Sequence, residues 1–303
     1  MREVLSVREI VKIFGAVRAV DGVTFSVQRG TITGLLGRNG AGKTTTIRMI
    51  TGIFMPDSGS IEWTDGDRKP QDRIGYLPEE RGLHRQMKIV ELLLFLAEIK
   101  GQRGPAVVKA VDQWLERFEL IDKRNAKVEE LSKGNQQKVQ LIGTLLHEPD
   151  LIVLDEPQSG LDPVNMVLVR NLLRELKEEG RTILLSTHMM GEAERMADDI
   201  VLIHQGKIVL SGPLDFVKAS FGKNTLHIEY DGDGSFLAEL PDVKRAMIVN
   251  NAAELSLADG ADPQRVLEAA IGRLRIRKFE LASPSLEEIF IEKVGAETLE
   301  VIR

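Results

Sequence analysis

The sequence predicts an α/β fold built around buried parallel strands, with a small α+β module after it. Three observations lead there. The apolar run Thr31–Leu36 passes through a glycine-rich loop straight into the helical stretch Lys43–Ile50. A second continuous apolar run, Leu151–Leu154, ends in two carboxylates and is followed by a helix and a third run, Thr182–Leu185. Near Ser220–Asn224 the pattern changes to shorter alternating strands and two further helices, so a separate domain is expected over 221–303 after a first domain over 1–220.

Taken in order, short strands are expected at Val4–Val7 and Gly22–Val27, then the strand Thr31–Leu36 and the helix Lys43–Ile50. A polar turn, Asp65–Pro70, precedes a short strand Arg73–Leu77 that stops at Pro78. Residues 85–145 read as helical throughout, because Val107, Val108, Val111, Trp114, Leu115 and Phe118 recur at the spacing of one helix face. They form a helical insertion at about 80–147. A helix opened by Asp162-Pro163 and closed by Gly180 follows the strand at Leu151. Strands Ile200–Ile203 and Lys207–Leu210 flank a hairpin turn at His204-Gln205-Gly206. The second domain offers strands at Leu226–Tyr230, Lys244–Val249 and Ile276–Leu281. One of its helices has Asp262 as N-cap and Val266, Leu267, Ala270, Ile271 and Leu274 on one face. The other, Ser285–Val294, opens on a Ser285…Glu288 capping box.

The 303 residues suit about two domains. With 43% hydrophobic and 28% charged residues, the composition is that of a folded globular chain. Lys+Arg 40 against Asp+Glu 46 leaves a net charge of -6, which argues against a general nucleic-acid-binding surface. There is no cysteine, so disulfides, thiolate metal sites and cysteine nucleophiles are excluded. The five His, at 84, 147, 188, 204 and 227, lack metal-ligand spacing. The N-terminus has no signal-type apolar core, and the longest apolar run, Leu92–Ala97, falls far short of the ~20 residues that span a bilayer. A membrane role is expected only through another chain.

Gly37-Arg38-Asn39-Gly40-Ala41-Gly42-Lys43-Thr44 fits the P-loop pattern, GxxxxGK followed by Ser or Thr, and lies between a strand and a helix as that loop must. Glycines let backbone N–H groups turn inward around phosphate oxygens, and the helix N-terminus adds positive potential. Lys43 reaches the β- and γ-phosphates and the Thr44 hydroxyl ligates Mg2+. At the end of the second apolar strand, Asp155 is expected to hold Mg2+ through water and Glu156 to act as general base toward the attacking water.

Leu131-Ser132-Lys133-Gly134-Asn135-Gln136-Gln137, shortly before the acidic strand, resembles the LSGGQ signature of ABC ATPases. Ser159-Gly160-Leu161-Asp162 is similar to that family's D-loop and His188 to its switch histidine, and the resemblance covers roughly residues 3–220. It implies a RecA-like P-loop core with an N-terminal antiparallel β-subdomain and an inserted helical subdomain. It further implies that Gly37, Asn39, Gly40, Gly42, Lys43, Thr44 and Thr45 bind ATP, that His188 hydrogen-bonds the γ-phosphate, and that Asp162 contributes from the D-loop. Ser132 and Gly134 of one subunit would close over the γ-phosphate held by the other. Ser132 also reads as a plain helix N-cap. Phe14 corresponds to the aromatic that stacks on adenine, and a lone Phe in a β-region equally suits a core.

Two features depart from the family pattern. Gly75-Tyr76-Leu77-Pro78-Glu79-Glu80-Arg81 carries Glu79 where a Q-loop glutamine is usual, offering a carboxylate oxygen to Mg2+ or water and losing the amide donor. Lys133 and Asn135 replace the usual Gly and Gln of the signature, and Lys133 either adds positive charge there or faces solvent. The ending Phe279–Phe290 looks like the tail module of ABC-2-type exporter ATPases, including the sodium-efflux group. Such a module assists dimerisation or regulation, or simply adds stability.

The resulting expectation is an ATP- and Mg2+-dependent ATPase subunit that pairs with itself or with a second ATPase subunit. It would sit at the cytoplasmic face of the cell membrane on integral permease subunits and drive export. Nucleic acid is not an expected partner. The alternative is a soluble non-transport ABC ATPase working on a nucleic-acid or protein assembly; the absence of a tandem nucleotide domain, a coiled-coil insertion and a zinc motif weighs against it.

Overall fold

Apolar runs as continuous as Ile32–Leu36 and Leu151–Leu154 leave no strand face for water, so such strands must lie inside a sheet covered on both sides. The computed structural model, which describes residues 3–64, 74–80, 82–221, 225–258 and 260–300, bears this out. The strands are β1 (Glu3–Phe14), β2 (Val17–Gln28), β3 (Ile32–Leu36), β4 (Ser58–Trp63), β5 (Ile74–Leu77), β6 (Leu151–Asp155), β7 (Thr182–Thr187), β8 (Asp199–His204) and β9 (Lys207–Pro213). Six of them form one sheet in the order β5-β6-β7-β3-β8-β9, and every residue of β3, β6 and β7 is buried. The pairs β5/β6, β6/β7, β7/β3 and β3/β8 are parallel. Carboxyl ends of successive strands therefore emerge along one edge, the usual place for a ligand site in an α/β sheet.

Beside this sheet lies an antiparallel one, β2-β1-β4. Leu5, Val7, Ile10, Val20, Val23, Phe25 and Val27 share a core with Leu35, Val153 and Ile47, the last on helix α1 (Lys43–Ile50). β1 and β2 run well beyond the expected Val4–Val7 and Gly22–Val27. The charged pair Arg8-Glu9 breaks the alternation of β1 in the sequence, and the structure absorbs it in a bulge with Glu9 at φ 47 and a register shift between Val7 and Ile10. β4 was not expected, since Ser58-Gly59-Ser60 carries little strand propensity; it forms by pairing on β1.

The insertion consists of helices α2 (Ile89–Ile99), α3 (Pro105–Arg117) and α4 (Lys133–Leu145). Continuous helicity over 85–145 is thus corrected: Gly101, Gly104 and Glu119 at positive φ, with 3-10 turns at Ile121–Lys123 and Val128–Glu130, break it into three. On α3 the expected face holds for Val107, Val111 and Leu115, while Val108 is exposed. Helices α5 (Pro163–Glu178) and α6 (Met190–Met196) flank β7 in sequence. The expected turn at 65–70, Arg73, Arg81 and residues 222–224 lie outside the described residues.

By compactness the chain divides into Met1–Gly212 and Pro213–Arg303, so helix α7 (Leu214–Ser220), which the sequence reading keeps with the first domain, groups with the second unit. That unit has an antiparallel sheet β11-β12-β10-β13, made of β10 (Thr225–Asp231), β11 (Val243–Val249), β12 (Ala252–Leu257) and β13 (Arg275–Ala282). Helices α8 (Pro263–Ala270) and α9 (Leu286–Glu300) complete it. β12 was missed by the sequence reading. Ile271 and Leu274 are corrected as well: α8 ends at Ala270, Ile271 is 62% exposed, and Leu274 is buried but lies past the helix.

Leu255 on β12 is fully buried in the second unit's own core. Leu255→Ala should therefore lower the stability of that unit by about 2–5 kcal/mol. The tryptophans, Trp63 and Trp114, both lie in the first unit. The expected result is an earlier denaturant transition by far-ultraviolet circular dichroism with an unmoved tryptophan-fluorescence transition; coincident shifts would mean that the two cores unfold together.

Candidate functional site

The loop between β3 and α1 is shaped by its glycines. Gly37 (φ 153) and Gly42 (φ 108) occupy backbone conformations that a side chain resists, and a Cβ would lie 2.3 Å from Ile203 O at Gly37 and 2.5 Å from Ala19 O at Gly42. The β8–β9 hairpin supports the loop from below. The expected hairpin turn is present with His204 as the last residue of β8; Gln205 and Gly206 between the strands both have positive φ, and Gly206 N–H donates to Ala41 O at 2.9 Å while its carbonyl accepts from Asp21 N–H at 2.8 Å. Arg38, Asn39, Gly40, Ala41, His188, His204 and Gln205 line an open cleft of about 580 Å³ over this loop.

Lys43, the first residue of α1, is buried, and its ammonium donates to the carbonyls of Gly37 at 2.8 Å and Arg38 at 3.3 Å. It also lies 3.2 Å from Glu156 Oε1, an ion pair without hydrogen-bond alignment. Thr44 Oγ1 donates to Asp155 Oδ1 at 3.2 Å. Thr45 is half-buried on the same first turn.

Parallel register brings the acids to this loop. Asp155 pairs with Ser186 across β6/β7, and Leu35 with Ser186 across β3/β7, so the three strand ends are level. Asp155 has no exposed surface; burial pushes its carboxyl above the ordinary range, opposed by the hydroxyls of Ser186 and Thr44. Its Oδ2 is buried without a hydrogen-bond partner among the described residues. An orphaned carboxylate oxygen beside the Thr44 hydroxyl is a donor set that fits a hard divalent cation such as Mg2+. Glu156 is buried with its backbone at φ 49, and His188 Nδ1 donates to its Oε2 at 2.9 Å.

The remaining predicted residues fall into two groups. Glu79 is exposed and lies two residues past Leu77, the last residue of β5, whose partner across β5/β6 is Leu154, two residues before Glu156. It is close enough for its charge to contribute to raising the Tyr76 phenol, an effect led by burial and followed by the charge of Asp155. Phe14 ends β1 and is 43% exposed, which removes the core alternative; its ring meets Phe54 edge-on at 5.5 Å. Ser132, Gly134 and Asp162 gather elsewhere. Ser132 Oγ accepts from Asn135 N–H at 3.3 Å as the N-cap of α4. Asp162 caps α5, accepting from the backbone N–H and side chain of Asn165 at 3.0 and 2.6 Å, bonds that hold its carboxyl below the ordinary range. A Cβ at Gly134 would stand 3.2 Å from Asn165 Nδ2, so signature and D-loop adjoin. Among the described residues no hydrogen bond or ion pair joins Ser132 or Gly134 to the P-loop. Lys133 is exposed.

Sequence reasoning missed Ser186, which donates to Asp155 Oδ1 at 2.5 Å and accepts from Glu156 N–H at 3.1 Å. The signal was present: Ser186 lies two residues before His188, near the end of the strand that leads to it. Gln137, which donates to Pro157 O at 3.3 Å, and Gln158, which donates to Glu192 Oε2 at 3.3 Å, were also missed.

Comparison with known proteins finds a family described as ABC transporter over residues 20–159 and a second, the C-terminal domain of DrrA1-3-like ATP-binding proteins, over 212–294. An uncharacterized ABC transporter ATP-binding protein of Bacillus subtilis is 44% identical over 96% of this chain and 99% of its own. The Nod factor export ATP-binding protein I of Burkholderia lata is 33% identical over 96% of each. Among solved structures, an ATP-binding subunit of an ABC transporter is 33% identical with a TM-score of 0.67, covering 72% of this chain and 93% of that one.

Gly42→Ala places a methyl group against Ala19 O and strains the backbone at the start of α1. Affinity for a fluorescent ATP analogue should fall about tenfold or more, since ten-fold corresponds to only about 1.4 kcal/mol. An unchanged titration would mean that the loop does not set nucleotide affinity.

Proposed function

This chain belongs to the ABC transporter ATP-binding proteins, and from that premise we propose that two ATPase subunits of this kind close around two molecules of ATP with Mg2+ and drive a membrane-embedded permease through an export cycle. The observation that carries the reading is the convergence of Lys43, Thr44, Asp155, Glu156 and His188 at the level ends of β3, β6 and β7. The chain is an ATPase subunit by family, and its chemistry is transfer of the γ-phosphoryl group to water, in which positioning and electrostatics supply most of the rate.

The P-loop N–H groups and Lys43 hold the phosphates. Phosphate oxygens are stronger partners for an ammonium than the carbonyls of Gly37 and Arg38, so nucleotide draws Lys43 away from them and from Glu156. Glu156, oriented by His188, then accepts the proton of the attacking water. Bound Mg2+ supplies charge neutralisation at the β- and γ-phosphate oxygens. Thr44 and Asp155 would hold it, with Glu79 in the loop after the neighbouring strand β5. Phe14 offers its exposed face to the adenine ring.

Ser132 and Gly134 belong at the start of α4, where free N–H groups favour an anion. Their lack of contact with this chain's own P-loop supports action across the interface on the ATP of a paired subunit, with Asp162 beside them. Closure then follows from contacts made only in the closed state. Among the described residues no helix is long and apolar enough to cross a membrane. In this reading separate permease subunits carry the transport path, and this chain works on them at the cytoplasmic face of the membrane. Export is supported by the relatives named for Nod factor export, and in this reading the second unit, which matches the C-terminal domain of DrrA1-3-like ATP-binding proteins, is an accessory module of the ATPase.

Glu156→Gln should bind ATP, lose about 100-fold or more of its turnover, and accumulate as a dimer by size-exclusion chromatography with ATP; wild-type turnover would remove Glu156 as the base. Glu79→Gln should keep activity with a shifted Mg2+ titration, and an unshifted one would separate Glu79 from the metal. Tagged protein from gently solubilised membranes should bring down a polytopic membrane protein. Recovery of only soluble or ribosomal partners would favour the non-transport reading.

A further inference from the structure

Ser186 is fully buried near the end of β7 and is bonded to the carboxylate of Asp155 and to the backbone N–H of Glu156. Its hydroxyl has one proton to give, and the 2.5 Å bond to Asp155 Oδ1 uses it. Its oxygen accepts the backbone N–H of Glu156 at 3.1 Å, and the same N–H lies 3.2 Å from the carbonyl of Ser186. One residue thus fixes Asp155 by its side chain and Glu156 by its backbone.

Two consequences follow from this wiring. With Oδ1 occupied by Ser186 and Thr44, the carboxylate of Asp155 cannot rotate freely, and Oδ2 is the oxygen left to a cation. Glu156 sits at φ 49, a conformation a non-glycine residue keeps only when its surroundings enforce it, and both hydrogen bonds to its N–H come from Ser186. We propose that Ser186 is the positioning residue of the ATPase site, holding Asp155 so that Oδ2 faces the divalent cation and holding the backbone that aims Glu156. The inference rests on the ATP and Mg2+ reading of the site. Residues that orient metal ligands commonly change metal affinity by about 10–100-fold when removed.

The test is titration of a fluorescent ATP analogue in EDTA and in increasing Mg2+, on wild-type protein and on Ser186→Ala, Ser186→Cys and Ser186→Thr. Cysteine keeps the volume and is a weak donor, whereas threonine keeps the hydroxyl. The expected result is unchanged analogue affinity in EDTA for all four proteins. The half-saturating Mg2+ should rise about tenfold in Ser186→Ala and Ser186→Cys and return toward wild type in Ser186→Thr. Turnover at saturating Mg2+ should also fall in the first two, because the aim of Glu156 is not restored by metal. A wild-type Mg2+ response in Ser186→Ala or Ser186→Cys overturns the inference, and so does equal loss in Ser186→Thr with all variants folded by circular dichroism. Absence of any Mg2+ effect on the wild-type protein would instead overturn the metal reading on which it rests.

Discussion

Asp155 is a carboxylate with no surface left to water, and removing such a group from solvent is unfavourable unless other dipoles replace the lost hydration. Ser186 and Thr44 supply two hydroxyls to one oxygen, the first from near the end of β7 and the second from the first turn of α1, which follows β3. Both can reach Asp155 only because β3, β7 and β6 are adjacent, parallel and level at their carboxyl ends. The sheet order is therefore the constraint behind the site. A one-residue slip of β7 against β6 would turn Ser186 away from Asp155.

The same constraint explains the glycines. To bring Lys43 and Thr44 up to the acids, the chain must turn between β3 and α1 against the floor formed by Ile203 and Ala19, where at Gly37 and Gly42 there is no room for a Cβ. The floor is itself held by the β8–β9 hairpin through Gly206. Lys43 completes the balance: its ammonium faces the buried acid Glu156 and two carbonyls, partners that phosphate can replace.

What was legible in the sequence was whatever has a fixed local signature. The strand–glycine loop–helix unit, the acidic strand end and the caps at Ser132, Asp162 and Asp262 are all read from neighbours within a few residues, and each stands where expected. β4 and β12 were lost because their strand character comes from partners. Ser58–Trp63 pairs on β1, and Ala252–Leu257 lies between β10 and β11 with only Ala253, Leu255 and Leu257 turned to the core. The Asn250-Asn251 turn, with Asn250 at φ 52, was a usable hairpin signal for β12. Ile271 misled because helical spacing continues past the point where the chain leaves the helix before Gly272, at φ 93.

The site residues that sequence reading missed share a different property: none acts on its own. Ser186 matters through Asp155 and Glu156, and Gln137 and Gln158 through the turn that follows them. Gln137, on the signature helix, bonds Pro157 O, while Gln158 reaches the buried Glu192, which also takes Arg170 at 3.3 Å and Arg195 at 2.6 Å. The turn after Glu156 is thereby tied to α4 on one side and to α5 and α6 on the other. Buried polar links of this kind tolerate little displacement, because a donor or acceptor pulled from its partner has no water to replace it. Movement of the signature helix relative to the sheet is therefore resisted or transmitted at Pro157, one residue from Glu156. A pairwise network of this sort has no linear motif, which is why it emerges only once the strands are laid side by side.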